Sequence, residues 1–500
     1  MNLRHLFWIT FVVAMIVLAQ FQFWKLPSKG DRANWDYFAQ VVARGGVPYR
    51  DVVNIKSPLS AYIGAAAIIV TRPFGLRDIY ATRATFALLA GLTIAFTFLV
   101  GSLYFDSRRV GLLAALILIG VEAFATLNGD GIQPKTPMIL FGLMSLWAII
   151  KDRPYLAGVF GMLSALSWQP GLLFVGAAGL AFSKYLTSWR DMKVAKLLAG
   201  AFIPLAILLG YLWVAGALKD FYDWCLRFNF TVYGPRDLTT GQMFLDRLSM
   251  LLEKYYHQER VFFYLAAAGV LAVLSREVIG AARHVWSGLL ERAPRHQVVV
   301  AALVYFAFCR VDMQGEQDLI PLLPFVAIFA SVTIIWSLEL AMMALARAYP
   351  KPNYKAIGRF SFAALLLVVF LLNVTDAFSF KLRGRKTLEA QDADAAEIKS
   401  QLGPGDQLFV HGRTEMLVLS GLTNSRKYTN LDHGKDNFLD QVEPGGFDGW
   451  FDQLKADRPK IVMISRIDNV DRKKDLLRWV KKNYERIRGR VFTYYLRKEQ

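Results

Sequence analysis

The stretch PLSAYIGAAAIIVTRPF, residues 58–74, decides how this chain is arranged, because its behaviour in a membrane sets the side on which every later loop lies. Its uncharged core runs from Leu59 to Val70, about 12 residues, whereas a transmembrane helix needs about 20. A run of that length is typical of a buried or interfacial helix. Length therefore favours a helix that lies in or on the membrane surface.

Longer apolar runs lie on both sides of this stretch. Of the 500 residues, 55% are hydrophobic and 20% are charged, and the charged residues are concentrated between uncharged runs. The first run, Leu6–Phe23, lacks a small-residue cleavage site, so we interpret it as an uncleaved helix. We predict an α-helical polytopic membrane protein with eleven spans, at 6–24, 80–104, 110–128, 136–150, 154–168, 170–184, 196–218, 260–275, 297–311, 319–345 and 360–380.

The distribution of lysine and arginine tests the interpretation of residues 58–74. If these residues do not cross and the N-terminus is cytoplasmic, five basic connections face the cytoplasm: 108–109, 151–153, 184–196, 276–295 and 347–359. If they do cross, all five connections lie outside, against the rule that cytoplasmic loops are the basic ones. We therefore predict a surface helix and an extracytoplasmic C-terminus. The formal net charge of +18 is then a topology signal, and we expect no nucleic-acid partner.

The first outer loop, residues 25–79, is rich in charged side chains. Asn34–Ala43 has the pattern of an amphipathic helix, and Pro58 is suited to open a second one. A solvated loop whose charges merely avoid lipid is the alternative. The tight cluster Tyr49-Arg50-Asp51 and the position of Lys56 favour a site, because a lysine at a membrane surface can pair with a lipid phosphate. A carboxylate beside it could act as a general base on an acceptor hydroxyl.

Three segments of this loop resemble, in order and spacing, the first loop of the C-type (GT-C fold), polyprenyl-phosphate-sugar-dependent glycosyltransferases, notably the dolichyl-phosphate-mannose–protein mannosyltransferase-like group. The segments are Asp31 ahead of Trp35-Asp36-Tyr37-Phe38-Ala39, then Gly46-Val47-Pro48-Tyr49-Arg50-Asp51, then Lys56-Ser57-Pro58-Leu59. The resemblance implies a GT-C-like membrane domain. It also implies an inverting, mannosyl- or other hexosyltransferase activity, in which a polyprenyl-phosphate-linked sugar is transferred to an acceptor hydroxyl at the outer membrane face.

The same resemblance assigns roles to residues of the loop. It implies that Asp31 is the catalytic base and that Lys56 contacts the carrier phosphate, with Arg50 near the same phosphate. Asp36 is the rival for the base, although the distance from Asp31 to the Tyr-Phe-Ala run fits the family better. Tyr49 and Asp51 complete the candidates for substrate binding in this loop.

The turn Asn128-Gly129-Asp130-Gly131 falls on the same outer side. The family often has an acidic residue here, so Asp130 is a further substrate-binding candidate. The alternative is a turn whose residues serve only its backbone conformation. A lipid-linked donor requires neither a nucleotide site nor a metal-binding Asp-x-Asp motif. We therefore assign no metal ligand and no certain cofactor, and leave a divalent cation open.

The composition changes after Phe380. Residues 383–500 contain no run able to cross a bilayer, and short predicted strands (Gln407–Val410, Lys460–Ser465, Val491–Leu496) alternate with predicted helices (Asp392–Leu402, Phe447–Ala456, Lys473–Tyr484). We predict two domains, a transmembrane glycosyltransferase domain over 1–382 and a small extracytoplasmic α/β domain over 383–500. The resemblance implies that this tail helps to bind the acceptor, which is a glycan, a lipid or a protein.

Two other classes of function compete with this interpretation. A glycolipid or polysaccharide transporter or flippase predicts inverted repeats and helices broken near the midplane of the membrane, and the sequence has no such symmetry. A non-catalytic subunit for cell-envelope assembly leaves the charge of the first loop unexplained. We expect the protein in the bacterial inner membrane, in contact with membrane lipids, with a cytoplasmic N-terminus.

Overall fold

The computed structural model describes residues 2–185, 192–233, 241–283, 293–349, 353–381, 387–464, 467 and 469–499. Every predicted span coincides with a helix. These helices are Leu3–Gln20, Asp78–Tyr104, Arg108–Ile119 with Glu122–Gly129, Lys135–Ile150, Pro154–Ser167, Leu172–Phe182, Lys193–Val214, Arg260–Arg283, Ala293–Cys309, Leu323–Ala348 and Tyr354–Ser379. Between the spans lie further helical segments: Gly30–Ala43, Leu59–Thr71, Leu218–Phe221, the π-helical turns Tyr222–Arg227 and Asn229–Tyr233, Gly241–Tyr255 and the 3₁₀ helix Glu316–Leu322.

Only some of these helices are long enough to cross a membrane by themselves. Within the described residues, five helices meet the length and composition of a span, and the pair Arg108–Ile119 and Glu122–Gly129 makes a sixth, bent by 65°. The bend falls at Gly120, where a Cβ atom would lie 2.0 Å from Oδ1 of Asn373. A glycine is therefore required for the close approach of these helices. In the remaining helices the apolar stretch is shorter, as in Arg260–Ser275 of the helix Arg260–Arg283, so the number of eleven spans stays a prediction.

Three contacts between described loops agree with the charge argument. At the end predicted to be outer, Arg83 donates to the carbonyl of Phe23 (2.9 Å), and Lys135 pairs with Asp318 (2.9 Å). At the opposite end, Lys193 pairs with Asp152 at 2.6 Å. The contacts thus join predicted outer loops to outer loops, and inner loops to inner ones.

Two helices of the predicted first outer loop lie between the first two predicted spans of the chain. The first surface helix, Gly30–Ala43, begins four residues earlier than predicted, so that Asp31 lies in its first turn. The second surface helix, Leu59–Thr71, has 13 residues and is about 20 Å long, too short for the hydrocarbon core. The two helices pack closely, because a Cβ on Gly64 would lie 3.0 Å from the Cβ of Ala39.

The C-terminal tail contains a four-stranded sheet in the order β1-β2-β4-β3, with β1 Leu408–His411, β2 Ile461–Ile464, β3 Tyr484–Arg488 and β4 Thr493–Arg497. β1 and β2 are parallel, whereas β4 is antiparallel to both of its neighbours. The helices of the tail are Leu388–Ser400, Glu415–Ser420, Lys435–Val442, Gly446–Asp457 and Val470–Asn483.

Several details of the tail differ from the sequence-based expectation. β3 and the short helices Glu415–Ser420 and Lys435–Val442 were not predicted, because each is too short to show a clear periodicity. The predicted helix ending at Tyr484 stops at Asn483, where the chain turns directly into β3. The predicted domain boundary between 382 and 383 lies outside the described residues, as does Ser465 at the end of a predicted strand.

The tail packs against the first outer loop. The side-chain amide of Gln391 exchanges two hydrogen bonds with the backbone of Ser28 (2.9 and 2.8 Å), and the guanidinium of Arg77 makes a two-pronged contact with Asp392. The backbone N–H of Asn424 donates to the hydroxyl of Tyr37 (2.8 Å) inside the first surface helix. These buried and charged contacts hold the tail beside the residues that the sequence selected.

Candidate active site

A polar cleft opens between the first surface helix and the tail. It encloses about 790 Å³ of space, including the part that is open to solvent. Its walls come from the surface helix, the segment 52–56, the connection 312–318 and the tail segment 429–435. The lining residues are Asp31, Asn34, Trp35, Phe38, Val52, Val53, Asn54, Ile55, Lys56, Trp168, Tyr233, Asp312, Gln314, Gln317, Asp318, Thr429, Asn430, Asp432, His433 and Lys435.

Asp31 projects into this cleft with about half of its side chain (52%) exposed. Its Oδ2 atom lies 3.8 Å from Nζ of Lys56 and 3.4 Å from the amide nitrogen of Gln317. Desolvation in the cleft acts to raise the pKa of Asp31, but the charges of Lys56, Lys135 and Arg32 outweigh it and hold the pKa at about 2. Asp31 is therefore an ionised carboxylate among cations.

The backbone around Lys56 is fixed by buried polar groups. The hydroxyl of Tyr49 donates to the carbonyl of Lys56 (2.8 Å), and the side chains of Gln169 and Asn229 donate to the carbonyl of Ile55 (2.9 and 2.6 Å). Tyr49 is fully buried with φ +68°, a left-handed conformation that few side chains adopt. Tyr49, predicted to bind substrate, does not line the cleft and instead supports the backbone of Lys56 from behind it.

The ammonium group of Lys56 has no hydrogen-bond acceptor among the described residues. Within the described ranges, its nearest charged partner is Asp31 at 3.8 Å, which is longer than a hydrogen bond. The side chain is 18% exposed, and Nζ lies 5.9 Å from the centre of the Trp168 ring. This ammonium group can therefore donate hydrogen bonds to an anion that enters the cleft.

A second lysine approaches the same ring and was missed from the sequence. Lys135 is only 2% exposed, and its Nζ lies 4.4 Å from the centre of the Trp168 ring and 2.9 Å from Asp318. Asp318 also accepts the backbone N–H groups of Gln314 and Gly315 (2.7 and 2.9 Å). The Lys135–Asp318 pair ties the start of one span to the connection 312–318. No sequence pattern indicated that residues so far apart would meet.

Asp36, the rival candidate for the base, faces away from the cleft. Five residues after Asp31, it lies about 140° further around the helix, since each residue turns by about 100°. It is 1% exposed, and Oδ1 accepts the backbone N–H of Ile132 (3.2 Å). Burial raises the pKa of Asp36 to about 7, although the nearby Arg83 acts to lower it. Asp36 is therefore a buried group that does not line the cleft.

Asp130 is buried in the same layer, where its Oδ1 lies 2.5 Å from Nε of Arg32. Burial raises the pKa of Asp130, and Arg32 opposes this shift. The adjoining Gly131 has φ +149°, and a Cβ there would lie 2.7 Å from Oδ2 of Asp36. The turn that carries Asp130 thus packs directly against the first surface helix. Asp130 does not line the cleft. It pairs with Arg32, which donates to the cleft residue Gln317 (3.5 Å).

Arg50 and Asp51 lie apart from the cleft. The guanidinium of Arg50 bonds to its neighbour Asp51 (2.8 Å) and to the carbonyl of Ala215 (3.0 Å). Neither residue is among those that line the cleft. Of the seven predicted site residues, the structure brings Asp31 and Lys56 together in the cleft, sets Tyr49 behind them and leaves the other four elsewhere.

The tail supplies the wall opposite the surface helix. Lys435 is largely buried and donates to Asn430 (2.6 Å) and Asp432 (2.8 Å), so this segment is internally braced. At its tip His433 has φ +56°, and its ring lies 5.8 Å from that of Tyr233. These residues carry no motif and could not be selected before the docking of the tail was known. Across the described residues, no three His, Cys, Asp or Glu side chains are grouped so that they could hold a metal ion.

Comparison with solved structures identifies proteins of the same architecture. ArnT from Cupriavidus metallidurans, bound to undecaprenyl phosphate, is 14% identical and aligns over 98% of this chain and 97% of its own with a TM-score of 0.58. The apo state of the same protein gives 14% identity, the same coverage and a TM-score of 0.59. The archaeal oligosaccharyltransferase AglB from Archaeoglobus fulgidus, in complex with an inhibitory peptide and a dolichol-phosphate, is 11% identical. It aligns over 99% of this chain and 74% of its own with a TM-score of 0.52.

At the level of sequence, no protein-family model and no curated protein matches. The mannosyltransferase-like subgroup therefore stays a prediction. The structural likeness extends over almost the whole chain and includes both the helical part and the tail. This chain has the GT-C fold, a polytopic helical membrane part that carries a small domain with a β-sheet.

Proposed function

We propose that this chain is an integral membrane glycosyltransferase that moves a sugar from a polyprenyl-phosphate carrier to an acceptor hydroxyl at the outer membrane face. The observation that carries the proposal is the position of the Asp31 carboxylate beside the Lys56 ammonium, 3.8 Å apart in one cleft. Two solved proteins of the same fold bear on the donor, since one is bound to undecaprenyl phosphate and the other is in complex with a dolichol-phosphate.

Lys56 is the proposed ligand of the carrier phosphate. Its ammonium has three donors, and none is used in a hydrogen bond to the described part of the protein. As the sugar leaves the carrier, negative charge develops on the phosphate oxygen. A cation fixed at this point stabilises that charge more than the charge of the ground state. Arg50, which bonds to Ala215 outside the cleft, is less suited to this role than the sequence suggested.

Asp31 is the proposed general base. The acceptor oxygen forms a bond to the anomeric carbon while the bond from that carbon to the phosphate oxygen breaks. The electron pair of the broken bond leaves with the phosphate, and the hydroxyl proton passes to Asp31. Attack on the face opposite the departing phosphate inverts the anomeric configuration. Phosphate is a good leaving group, so no second carboxylic acid is needed to protonate it, in contrast to glycoside hydrolysis.

The remaining predicted residues take supporting roles in this proposal. Tyr49 holds the backbone of Lys56, and Asp130 anchors Arg32 next to the base. Asp36 is disfavoured as the base, because it is buried on the other side of the surface helix. We infer that the acceptor, a glycan, a lipid or a protein, reaches Asp31 along the tail segment 429–435.

Transfer of labelled sugar tests the proposal. The purified protein in lipid nanodiscs would receive a panel of undecaprenyl- and dolichyl-phosphate sugars, including the mannosyl donors, with fractionated membrane lipids, glycans and proteins as acceptors. We expect transfer from at least one donor, with release of the polyprenyl phosphate and inversion at the anomeric carbon. Absence of transfer from every donor, by a protein that still binds undecaprenyl phosphate, would contradict the proposed activity.

Cysteine labelling tests the proposed orientation in the bacterial inner membrane, with the N-terminus in the cytoplasm and the tail outside. Both native cysteines, Cys225 and Cys309, are buried and can be replaced. Single cysteines at Arg108 and Asp152 should react with a membrane-impermeant maleimide only after the membrane is opened, whereas one at Asp475 should react in intact cells. Reaction of the first two from outside would overturn the proposed orientation.

A further inference from the structure

Gln317 joins the proposed base to two other elements of the fold. Its side-chain nitrogen donates to Oδ2 of Asp31 (3.4 Å), and its side-chain oxygen accepts from Arg32 (3.5 Å) and from Gln133 (3.4 Å). These distances are long for hydrogen bonds, as in many active sites without substrate. Gln317 lies in the connection 312–318, and no sequence motif marks it.

The amide of Gln317 can take only one orientation. Its oxygen faces the guanidinium of Arg32, which can only donate, and its nitrogen faces a carboxylate, which in ionised form only accepts. The amide of Gln133 fits the same orientation by donating to that oxygen. A rotated amide would set its N–H groups against the guanidinium and its oxygen against the carboxylate. Arg32 is itself fixed by Asp130 at 2.5 Å, so the oxygen side of the amide is anchored in a buried pair.

The backbone that carries Gln317 is equally restrained. Gln317 lies in the 3₁₀ helix Glu316–Leu322, where the carboxylate of Asp318 caps two backbone N–H groups. The hydroxyl of Tyr256 donates to the carbonyl of Glu316 (2.7 Å). Because the backbone of this turn is restrained, the side chain of Gln317 is held accurately in place.

The two carboxylate oxygens of Asp31 therefore have different contacts. Lys56 and Gln317 both approach Oδ2, whereas Oδ1 has no partner in the described part of the chain. We propose that Gln317 is a positioning residue that holds Oδ2 and so presents Oδ1 as the proton-accepting atom to the acceptor hydroxyl. This inference rests on the proposed function, since it assigns a task to Gln317 within the same transfer.

Two substitutions at Gln317 separate positioning from mere packing. Gln317→Leu removes the donor to Oδ2, and we expect kcat to fall about ten- to a hundredfold while KM for the donor changes less than about threefold. Gln317→Glu keeps the shape but sets a second carboxylate against Asp31. Like charges raise each other's pKa, so the acid limb of the kcat profile should move to higher pH. Gln441→Leu, at an exposed glutamine of the tail, is the matched control.

A measurement without substrate keeps the inference separate from the proposed activity. A water-soluble carbodiimide with an amine nucleophile labels protonated carboxyl groups, and mass spectrometry of the purified protein reports the fraction labelled at Asp31 against pH. In Gln317→Glu the labelling of Asp31 should extend to higher pH than in the wild type. If no donor supports transfer but this shift is present, the proposed function is wrong, whereas the contact between Gln317 and Asp31 is supported. If Gln317→Leu keeps the wild-type kcat, or if labelling in Gln317→Glu is unchanged, the positioning role is wrong.

Discussion

Nζ of Lys56 lies 3.8 Å from Oδ2 of Asp31, and both side chains face the same cleft. The separation is too long for a hydrogen bond and short enough for strong electrostatic coupling. Each group therefore influences what the other can bind: the cation keeps Asp31 ionised, and the carboxylate weakens the attraction of Lys56 for anions. Substitutions at either end of the pair should have distinct and predictable effects.

Asp31→Asn should abolish most of the transfer activity while leaving the protein folded. A positioned general base contributes roughly 10²- to 10⁴-fold to a rate, so kcat should fall by about that factor. Binding of undecaprenyl phosphate should be retained or become tighter, because the negative charge beside Lys56 is gone. Asp51→Asn, in the same loop but outside the cleft, serves as the comparison. Equal activity of Asp31→Asn and wild type would remove Asp31 as the base.

Lys56→Met should weaken donor binding, because the methionine keeps much of the length of the side chain without the charge. A hydrogen bond to a charged group contributes about 1.5–3 kcal/mol, which corresponds to an increase of roughly ten- to a hundredfold in the Kd for undecaprenyl phosphate. Lys219→Met is the matched control, since that lysine side chain is 80% exposed on a neighbouring outer segment. Similar losses in both variants would indicate a general surface attraction in place of a specific contact.

A bound phosphate should strengthen Asp31 as a base. In the free protein the cations around the cleft hold the pKa of Asp31 at about 2, and an anion on Lys56 offsets one of those charges. The pKa of Asp31 should therefore rise on binding, and the acid limb of kcat should lie at higher pH than that of kcat/KM. Carbodiimide labelling of Asp31 near pH 4 should increase with undecaprenyl phosphate and not with undecaprenol. Equal labelling with both lipids would contradict this coupling.

Asp36 should make the stability of the protein depend on pH. Its pKa is raised from the ordinary 3.8 to about 7 in the folded state, so the protonated form favours folding. The stabilisation is fully present below about pH 4 and is lost as the pH rises through 7. Between pH 5 and pH 8 the Tm of the wild type should fall by a few degrees relative to that of Asp36→Asn, measured by tryptophan fluorescence in detergent. Asp475→Asn, at an exposed position, should follow the wild type at every pH.

The Lys135–Asp318 pair should behave as a buried ion pair. Lys135→Met leaves the Asp318 carboxylate without its cation, and the loss of one partner from such a pair costs about 3–5 kcal/mol in the free energy of unfolding. The double variant with Lys135→Met and Asp318→Asn should recover part of that loss, since no uncompensated charge remains. Denaturant unfolding of the four proteins gives the coupling energy. Additive effects would show that the two side chains do not interact.

The sequence was most informative where its signals were local. The shortness of Leu59–Val70 and the distribution of basic connections predicted the second surface helix, and the structure confirms a helix of 13 residues there. The position of Asp31 and Lys56 in one loop likewise made a shared site a reasonable expectation. Both predictions depend on residues that are close along the chain.

Long-range contacts could not be predicted in the same way. Lys135 meets Asp318, and Gln317 meets Asp31, only because separate helices end at the same level of the bundle. Asp36 was a fair rival for the base until the helix was found to begin at Gly30, which fixes the direction of each side chain. Arg50 shows that closeness along the chain can also mislead. It lies six residues before Lys56, yet its guanidinium bonds to the carbonyl of Ala215 outside the cleft.

The division of the cleft between the first outer loop and the tail has a consequence for biosynthesis. The ribosome makes Asp31 and Lys56 long before the wall from Thr429 to Lys435, because these segments are far apart along the chain. A nascent chain thus exposes a charged groove that still lacks the wall formed by the tail. The pocket is completed only when the tail has folded and has docked on Ser28 and Tyr37.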